Sequence, residues 1–284
     1  ARHTQGVSVK VTAGRTGTKV ILSTTVLGVL LAVFAVRSPS VNSQSSLAVG
    51  YAIVNSEDFV PSLVTALFRL TNPSGVLVTE AAVPGVRPTR AASIFVQKRG
   101  AQRTAVALVN PRPDPVTLDL KLLTKDGIEL STKLLEIEGF DHRAVFTDEL
   151  FDLGPNFLGV VHLRVEEENH PGVAVVTLRQ GLNHFGEPIL TTLPVATPED
   201  GNLEAERFIL PQVGVGIAGT LELTTQLVLI NPTGQFLTGA IEVFGSDGLP
   251  LELEASNRME SRFKYAISPG GIEFLEFRDS SATE

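Results

Sequence analysis

The chain has 284 residues, of which 43% are hydrophobic, a formal net charge of -8 and a mean hydropathy of +0.20. This length suggests about two domains of roughly 150 residues each, and the acidic balance argues against a nucleic-acid partner. Because Cys is absent, a disulfide framework, thiolate chemistry and Cys-based metal sites are excluded.

The N-terminal region, residues 1–47, is apolar and admits two interpretations. Val20–Val36 spans 17 apolar-rich residues between basic ones, which suits a short membrane helix at the lower limit of a bilayer crossing. The segment is also rich in β-branched residues, and before it Val7, Val9 and Val11 alternate with polar residues, which is typical of a strand. The sequence therefore predicts either a β-strand or a membrane helix here.

Residues 48–92 predict a partial β module. A turn signal, Asn72-Pro73-Ser74-Gly75, separates two apolar segments. The segment that begins at Gly50 shares its layout with the one that begins at Gly159, because Arg69 precedes Pro84 by 15 positions just as Arg179 precedes Pro194 by 15.

Residues 93–198 predict a complete β-sandwich module. In the segment 116–123 the residues Val116, Leu118, Leu120 and Leu122 alternate with others and so share one face of a strand. We expect a helical turn over 148–151 and a hairpin between 157–165 and 173–179. About 100 residues with short strands and regular turns are typical of an immunoglobulin-like sandwich.

Residues 199–284 repeat the first half of that module. Asn110 recurs as Asn231 and Asp126 as Asp247, both 121 positions later (231 minus 110, 247 minus 126). The second half, from Gly159 onward, would recur from position 280, and the sequence given ends at 284. We therefore predict a C-terminal module without its last strands, whose open strand edge and apolar face need a partner.

The fold class predicted from these patterns is all-β. The enrichment in Val, Leu, Ile, Thr and Phe, with 25 Gly and 17 Pro as turn residues, supports it. The expected architecture is a tandem of immunoglobulin-like β-sandwich modules, preceded by an apolar segment that is either a donated strand or a membrane helix.

Two strings carry a resemblance to a known group of proteins. TAVALVNPRPDPVTLDLKLLTKDG and TTQLVLINPTGQFLTGAIEVFGSDG, which begin at residues 104 and 224, resemble the L-V-N-P…D-G repeats of bacterial secreted and cell-surface immunoglobulin-like β-sandwich proteins. The resemblance extends from about residue 48 onward and implies an extracellular or cell-surface location. Because these motifs consist of turn and core residues, the resemblance supplies no catalytic residue.

No pattern in the sequence predicts catalysis, a cofactor or a metal site. The five His lack the spacing of metal ligands, and Glu166–Glu168 lacks the alternating oxygen ligands of a calcium loop. The string GVGIAG at 214–219 matches a dinucleotide fingerprint by letter, but a strand-like segment follows it instead of a helix. We expect no enzyme, and a carbohydrate-active or other enzyme with accessory sandwich domains remains as a third interpretation.

The predicted function is that of a structural subunit of an extracellular filament. In this interpretation residues 6–36 of the next copy would complete the C-terminal module, whereas in the alternative given below residues 48–85 of the same chain would pair with it. The expected partners are copies of the same chain. The alternative is a membrane-anchored, exported adhesion or scaffold protein with Val20–Val36 as its anchor. The predicted interface residues are Val7, Val9, Val11, Val20, Leu22, Val29, Leu31, Val33, Ile272, Phe274 and Phe277.

Overall fold

The computed structural model describes residues 50–54, 64–197 and 207–278. In these ranges the chain is all-β, as predicted, with antiparallel pairing throughout and one short helix. The apolar segment in residues 1–47 lies outside the described residues. The elements are β1 (Thr65–Thr71), β2 (Leu77–Pro84), β3 (Ala91–Arg99), β4 (Gln102–Val109), β5 (Val116–Thr124), β6 (Glu129–Ile137), β7 (His142–Phe146), α1 (Thr147–Leu150), β8 (Asn156–Val165), β9 (Ala174–Leu182), β10 (Pro188–Leu193), β11 (Gly216–Ala218), β12 (Leu221–Leu223), β13 (Thr225–Ile230), β14 (Leu237–Glu242), β15 (Leu253–Ala255), β16 (Arg258–Glu260), β17 (Arg262–Ile267) and β18 (Ile272–Phe277).

Strands β3 to β10 form a sandwich-like unit, called here the central module. One layer has the order β6–β5–β8–β3, the other has the order β10–β9–β4–β7, and the β3–β4 turn joins them. Alternate side chains of each strand point between the layers and form the main core. The four predicted β5 residues, Val116, Leu118, Leu120 and Leu122, are all buried there, which confirms the period-two prediction.

Two details of the central module differ from the prediction. Strands β8 and β9 do not form a hairpin, because β8 pairs with β3 and β5 while β9 pairs with β4 and β10. The segment between them crosses from one layer to the other, so that both strands can bury an apolar face in the same core. In addition, the predicted domain boundary between residues 92 and 93 falls inside β3.

Strands β13 to β18 reproduce the first half of the central module, and residues 207–278 are called here the C-terminal module. Val116 lies opposite Ile137 in β5–β6, and Leu237 lies opposite Ile267 in β14–β17. The pairs β4–β7 and β13–β18 correspond in the same way. The offset grows from 121 to 130 (267 minus 137), and the nine extra residues accommodate the additional hairpin β15–β16.

The repeated Asp-Gly pairs are turn residues, as predicted. The N–H of Gly127 donates to the carbonyl of Thr124 at 3.0 Å, and the N–H of Gly248 donates to the carbonyl of Gly245 at 3.0 Å. Both glycines adopt a positive φ, of 80° and 79°. This conformation strains residues with a side chain, so the repeat of Gly at this position follows from backbone geometry.

A fully buried asparagine fixes the corner after β4. The Nδ2 of Asn110 lies 2.7 Å from the carbonyl oxygen of Asp114, 3.3 Å from that of Ile137 and 3.2 Å from that of Glu138. Its Oδ1 accepts from the N–H of Arg112 at 3.0 Å. One side chain therefore ties the start of β5 to the end of β6.

Asn231 does the same in the C-terminal module. Its Nδ2 lies 2.7 Å from the carbonyl oxygen of Gln235, 3.1 Å from that of Ile267 and 3.0 Å from that of Ser268, and its Oδ1 accepts from the N–H of Thr233 at 3.1 Å. Like Asn110, it is 0% exposed. The Asn of the Asn-Pro repeat is therefore a structural residue, because its buried amide hydrogen-bonds to carbonyl groups at the corner between strands.

Asn110→Ala should lower the free energy of unfolding of the protein by roughly 2–4 kcal/mol, because it removes a fully buried amide that hydrogen-bonds to the carbonyls of Asp114, Ile137 and Glu138. Urea denaturation followed by circular dichroism measures this loss. The matched control is Asn169→Ala in an exposed turn, for which we expect a change within about 0.5 kcal/mol. Equal losses in the two variants would contradict the role assigned to Asn110.

Candidate subunit interface

Strands β13 and β14 of the C-terminal module each have one unpaired edge in the described residues. Within 207–278, β13 pairs only with β18 and β14 pairs only with β17. Their counterparts in the central module have two neighbours each, because β4 lies between β7 and β9 and β5 lies between β6 and β8. The equivalents of β8, β9 and β10 are therefore the strands that this module does not contain in its described part.

The exposure of equivalent residues shows the effect on the core. Val116 of β5 is 0% exposed, whereas Leu237, at the same position of β14, is 38% exposed. Leu108 of β4 is buried, whereas Leu229 of β13 is only half-buried. The same apolar positions thus face a closed core in one copy and a partly open one in the other.

The C-terminal module closes part of its interior by itself. Phe263 and Phe277 pack edge to face with 5.3 Å between ring centroids, and both are almost completely buried. Leu253 and Ala255 of the extra hairpin β15–β16 cover this cluster. The hairpin thus provides part of the burial that β8, β9 and β10 provide in the central module.

The C-terminal module also carries exposed apolar side chains. Phe208 and Ile209, just before the first strand, are 79% and 80% exposed. Other exposed apolar residues of this module are Leu210, Ile217, Leu221, Leu223, Phe236, Phe244 and Leu249. Exposed apolar side chains that lie together mark an interaction surface in soluble proteins.

The predicted acceptor residues have a different role from the one assigned to them. Ile272 is buried against Phe95 and Val160 of the central module, and Phe274 stacks on Phe95 with 6.1 Å between ring centroids and an interplanar angle of 4°. Phe277 lies in the core of the C-terminal module. All three contact residues of the same chain, so the free positions are on the edges of β13 and β14. The eight predicted donor residues, Val7, Val9, Val11, Val20, Leu22, Val29, Leu31 and Val33, lie outside the described residues.

The contact between the two modules is specific. In addition to the stacked rings, the N–H of Ile272 donates to the carbonyl of Lys125 at 2.8 Å, and Nη1 of Arg179 donates to Oε1 of Gln226 at 2.8 Å. The β13–β18 pair therefore covers the outer face of β3 and β8. This explains why Phe95 and Val160, which point away from the main core, are nevertheless buried.

The sequence did not identify Leu237 and Leu229 as partly exposed, because their exposure depends on which strands lie beside β14 and β13. Leu237 and Leu229 look like ordinary core residues of a strand. The signal that could have found them was the 121-residue offset itself, which aligns them with Val116 and Leu108 of the complete copy.

The chemical candidates of the sequence have structural roles. In the described ranges no three His, Asp or Glu side chains come together as a metal site. Both carboxylate oxygens of Glu167 accept from the N–H of Thr117, at 2.9 and 3.0 Å, while Glu166 and Glu168 are exposed. The string GVGIAG contains strand β11, which pairs with β12, as expected from the strand-like segment that follows it in the sequence.

Among the described residues, His170 and His162 are held by hydrogen bonds. His170 is buried, with Nε2 at 3.2 Å from Oδ1 of Asn110 and Nδ1 accepting from the N–H of Gly172 at 3.1 Å. His162 has Nδ1 at 2.7 Å from Oγ of Ser93 and Nε2 at 3.3 Å from the carbonyl of Gly270. Burial lowers the pKa of both imidazoles below the ordinary value for His.

The structure contains, in its described residues, no helix that is long and apolar enough to cross a membrane. The candidate anchor Val20–Val36 lies outside those residues.

Acidification should destabilise the central module. A His with a lowered pKa stays neutral in the folded protein while its unfolded form takes up a proton near pH 6.5, so this stability is present above about pH 6.5 and is lost as the pH falls toward the folded pKa. We expect a lower melting temperature at pH 5.5 than at pH 7.5, and a smaller difference in His170→Gln. An unchanged pH dependence in both His170→Gln and His162→Gln would contradict this account.

The comparisons with known proteins leave the family open. The sequence matches no protein-family model, and no curated protein sequence and no solved structure gave a significant match to the chain.

Proposed function

We propose that the chain is a structural subunit of an extracellular filament, which polymerises head to tail when strands from the N-terminal part of one copy complete the C-terminal module of the next. The fold proposed for the modules is immunoglobulin-like, as in bacterial secreted and cell-surface repeat proteins. The observation that carries the proposal is the pair of unpaired strand edges, on β13 and β14, beside half-exposed core positions.

Strand addition suits this site physically. An incoming strand satisfies the free N–H and C=O groups of an edge, and its alternate side chains fill the apolar opening behind it. Because donor and acceptor are different surfaces of the chain, every added copy presents a new free acceptor. Such a head-to-tail contact propagates as an open filament unless the rotation between copies closes a ring.

An enzymatic role has little support from the described residues. The clefts beside the contact between modules are lined by Gln97, Arg99, Asn156 and Phe274, and by Gln102, Gln226 and Glu276 among others. These residues do not provide a nucleophile with an adjacent base, which acyl-transfer and related chemistry requires. The proposal therefore assigns the chain a structural role.

Leu237→Glu should block assembly. Leu237 is partly exposed in one chain, so the substitution has a small effect on folding, whereas complementation would bury the carboxylate without a partner at a cost of several kcal/mol. We expect the concentration needed for polymerisation to rise at least about tenfold, which corresponds to ~1.4 kcal/mol. Sedimentation and negative-stain microscopy of the full chain measure this change.

The matched control is Leu134→Glu, an exposed leucine on the edge strand β6, for which we expect unchanged filaments. Full-length protein that stays monomeric at every concentration tested would contradict the proposal. Monomeric protein that fractionates with membranes through residues 20–36 would support the membrane-anchored alternative instead.

A further inference from the structure

We propose that the strand donor is the hairpin β1–β2 of a neighbouring copy, and that its strand β1 pairs with the free edge of β13. This inference rests on the proposed function and selects the segment that completes the acceptor. It uses only residues that the structure describes.

The order of strands supports this assignment. In the central module the second layer runs β10–β9–β4–β7. The hairpin β1–β2 and the pair β13–β18 are two halves of the same order, because β13 and β18 correspond to β4 and β7. Joining β1 to β13 would produce β2–β1–β13–β18, a layer with the strand order of the complete module.

The hairpin β1–β2 has the turn of the hairpin β9–β10. In the first, Oδ1 of Asn72 accepts from the N–H of Ser74 and from that of Val76, at 3.1 and 3.0 Å. In the second, Oδ1 of Asn183 accepts from the N–H groups of Phe185 and Glu187, at 3.0 and 2.9 Å. These turns are 111 positions apart (183 minus 72), so β1 corresponds to β9.

The structure also corrects the alignment made from the sequence. Arg69 and Arg179 are 110 positions apart (179 minus 69), which differs by one from the offset of the turns. Where β1 pairs with β2, the register shift between Leu70 and Thr71 leaves Val78 of β2 without a partner, so the extra residue lies in β2 and β1 keeps the offset of 111. Phe68 is therefore the residue of β1 that corresponds to Arg179.

The correspondence predicts a register for the new pair. Val106 lies opposite Thr177 in β4–β9, so Leu227 should lie opposite Ala66 in β13–β1. In the same register Val64, Ala66 and Phe68 would point inward beside Leu229, Leu227 and Thr225. These donor side chains would cover the apolar positions that remain half-exposed in a single chain.

The donor strand is free to pair in this way. Among residues 64–197 and 207–278, β1 pairs only with β2, and its Leu67 and Phe68 are 62% and 53% exposed. Along β2, Oγ1 of Thr79 accepts from the N–H of Leu190, and the hydroxyl of Thr192 in β10 donates to the carbonyl of Ala82. The hairpin is therefore held against its own central module while the outer edge of β1 stays available to another copy.

Disulfide trapping tests the register directly, because the chain has no native Cys. Ala66→Cys and Leu227→Cys are introduced together into the full chain, which is then assembled and oxidised. Directly opposed residues of two strands place their Cβ atoms close enough for a disulfide. We expect a ladder of covalent oligomers on non-reducing gels.

The matched control pairs Leu67→Cys with Leu227→Cys. Leu67 is the next residue along β1, so its side chain would point to the opposite face of the sheet and should give at most traces of cross-linked product. Equal cross-linking in the two double variants, or none in the first one although filaments form, would overturn the inference.

Mixing two blocked variants provides a second test. Ala66→Glu disables the donor and Leu237→Glu disables the acceptor, and both positions are accessible in the single chain. Each variant alone should remain monomeric. An equal mixture should give dimers and nothing larger, because it contains one functional donor edge and one functional acceptor edge that can meet. Filaments of Ala66→Glu alone would overturn the inference.

Deletion of residues 1–49 separates this inference from the proposed function. If β1–β2 is the donor, the shortened chain still polymerises. If deletion abolishes filaments while Ala66→Glu assembles normally, residues 6–36 are the donor and the inference fails, but the filament function stands. If the intact chain forms no filaments, the proposed function itself fails.

Discussion

A β-strand has two edges, and each edge carries backbone groups that need a hydrogen-bonding partner. In the central module this requirement is met for β4 and β5, which have a neighbour on both sides. In the C-terminal module the corresponding strands, β13 and β14, have one neighbour each in the described residues. The exposed core positions and the functional proposal are both consequences of that difference.

The two copies show which features of the fold are local and which depend on neighbours. Asn110 and Asn231 make equivalent hydrogen bonds and are both fully buried, although one lies in a closed module and the other in an open one. The corner, the Asp-Gly turn and the pairing register therefore form without the second half. Leu237, in contrast, is not buried without that second half. Its counterpart Val116 is buried in the central module, where β8 lies beside β5.

Much of the fold could be predicted from the sequence. The alternation in β5, the turns and the fixed offset of the repeat depend on local patterns, and the structure agrees with them. The predicted hairpin of β8 and β9 was wrong, because a turn signal reports that the chain reverses but not which layer it enters. The sequence predicted which module would form the interface, but not the contacts of its individual residues. Ile272 and Phe274 are apolar in sequence, but their contact with Phe95 depends on how the two modules pack.

The hairpin β15–β16 makes the apolar interior of the C-terminal module more closed than that of a half-sandwich, although less closed than that of the central module. Its nine extra residues close one end of the apolar interior around Phe263. The hairpin therefore stabilises the C-terminal module in a single chain, because it buries apolar side chains that a half-domain would expose. In the proposed filament, a free subunit therefore stays folded before assembly, with unpaired backbone groups on the edges of β13 and β14.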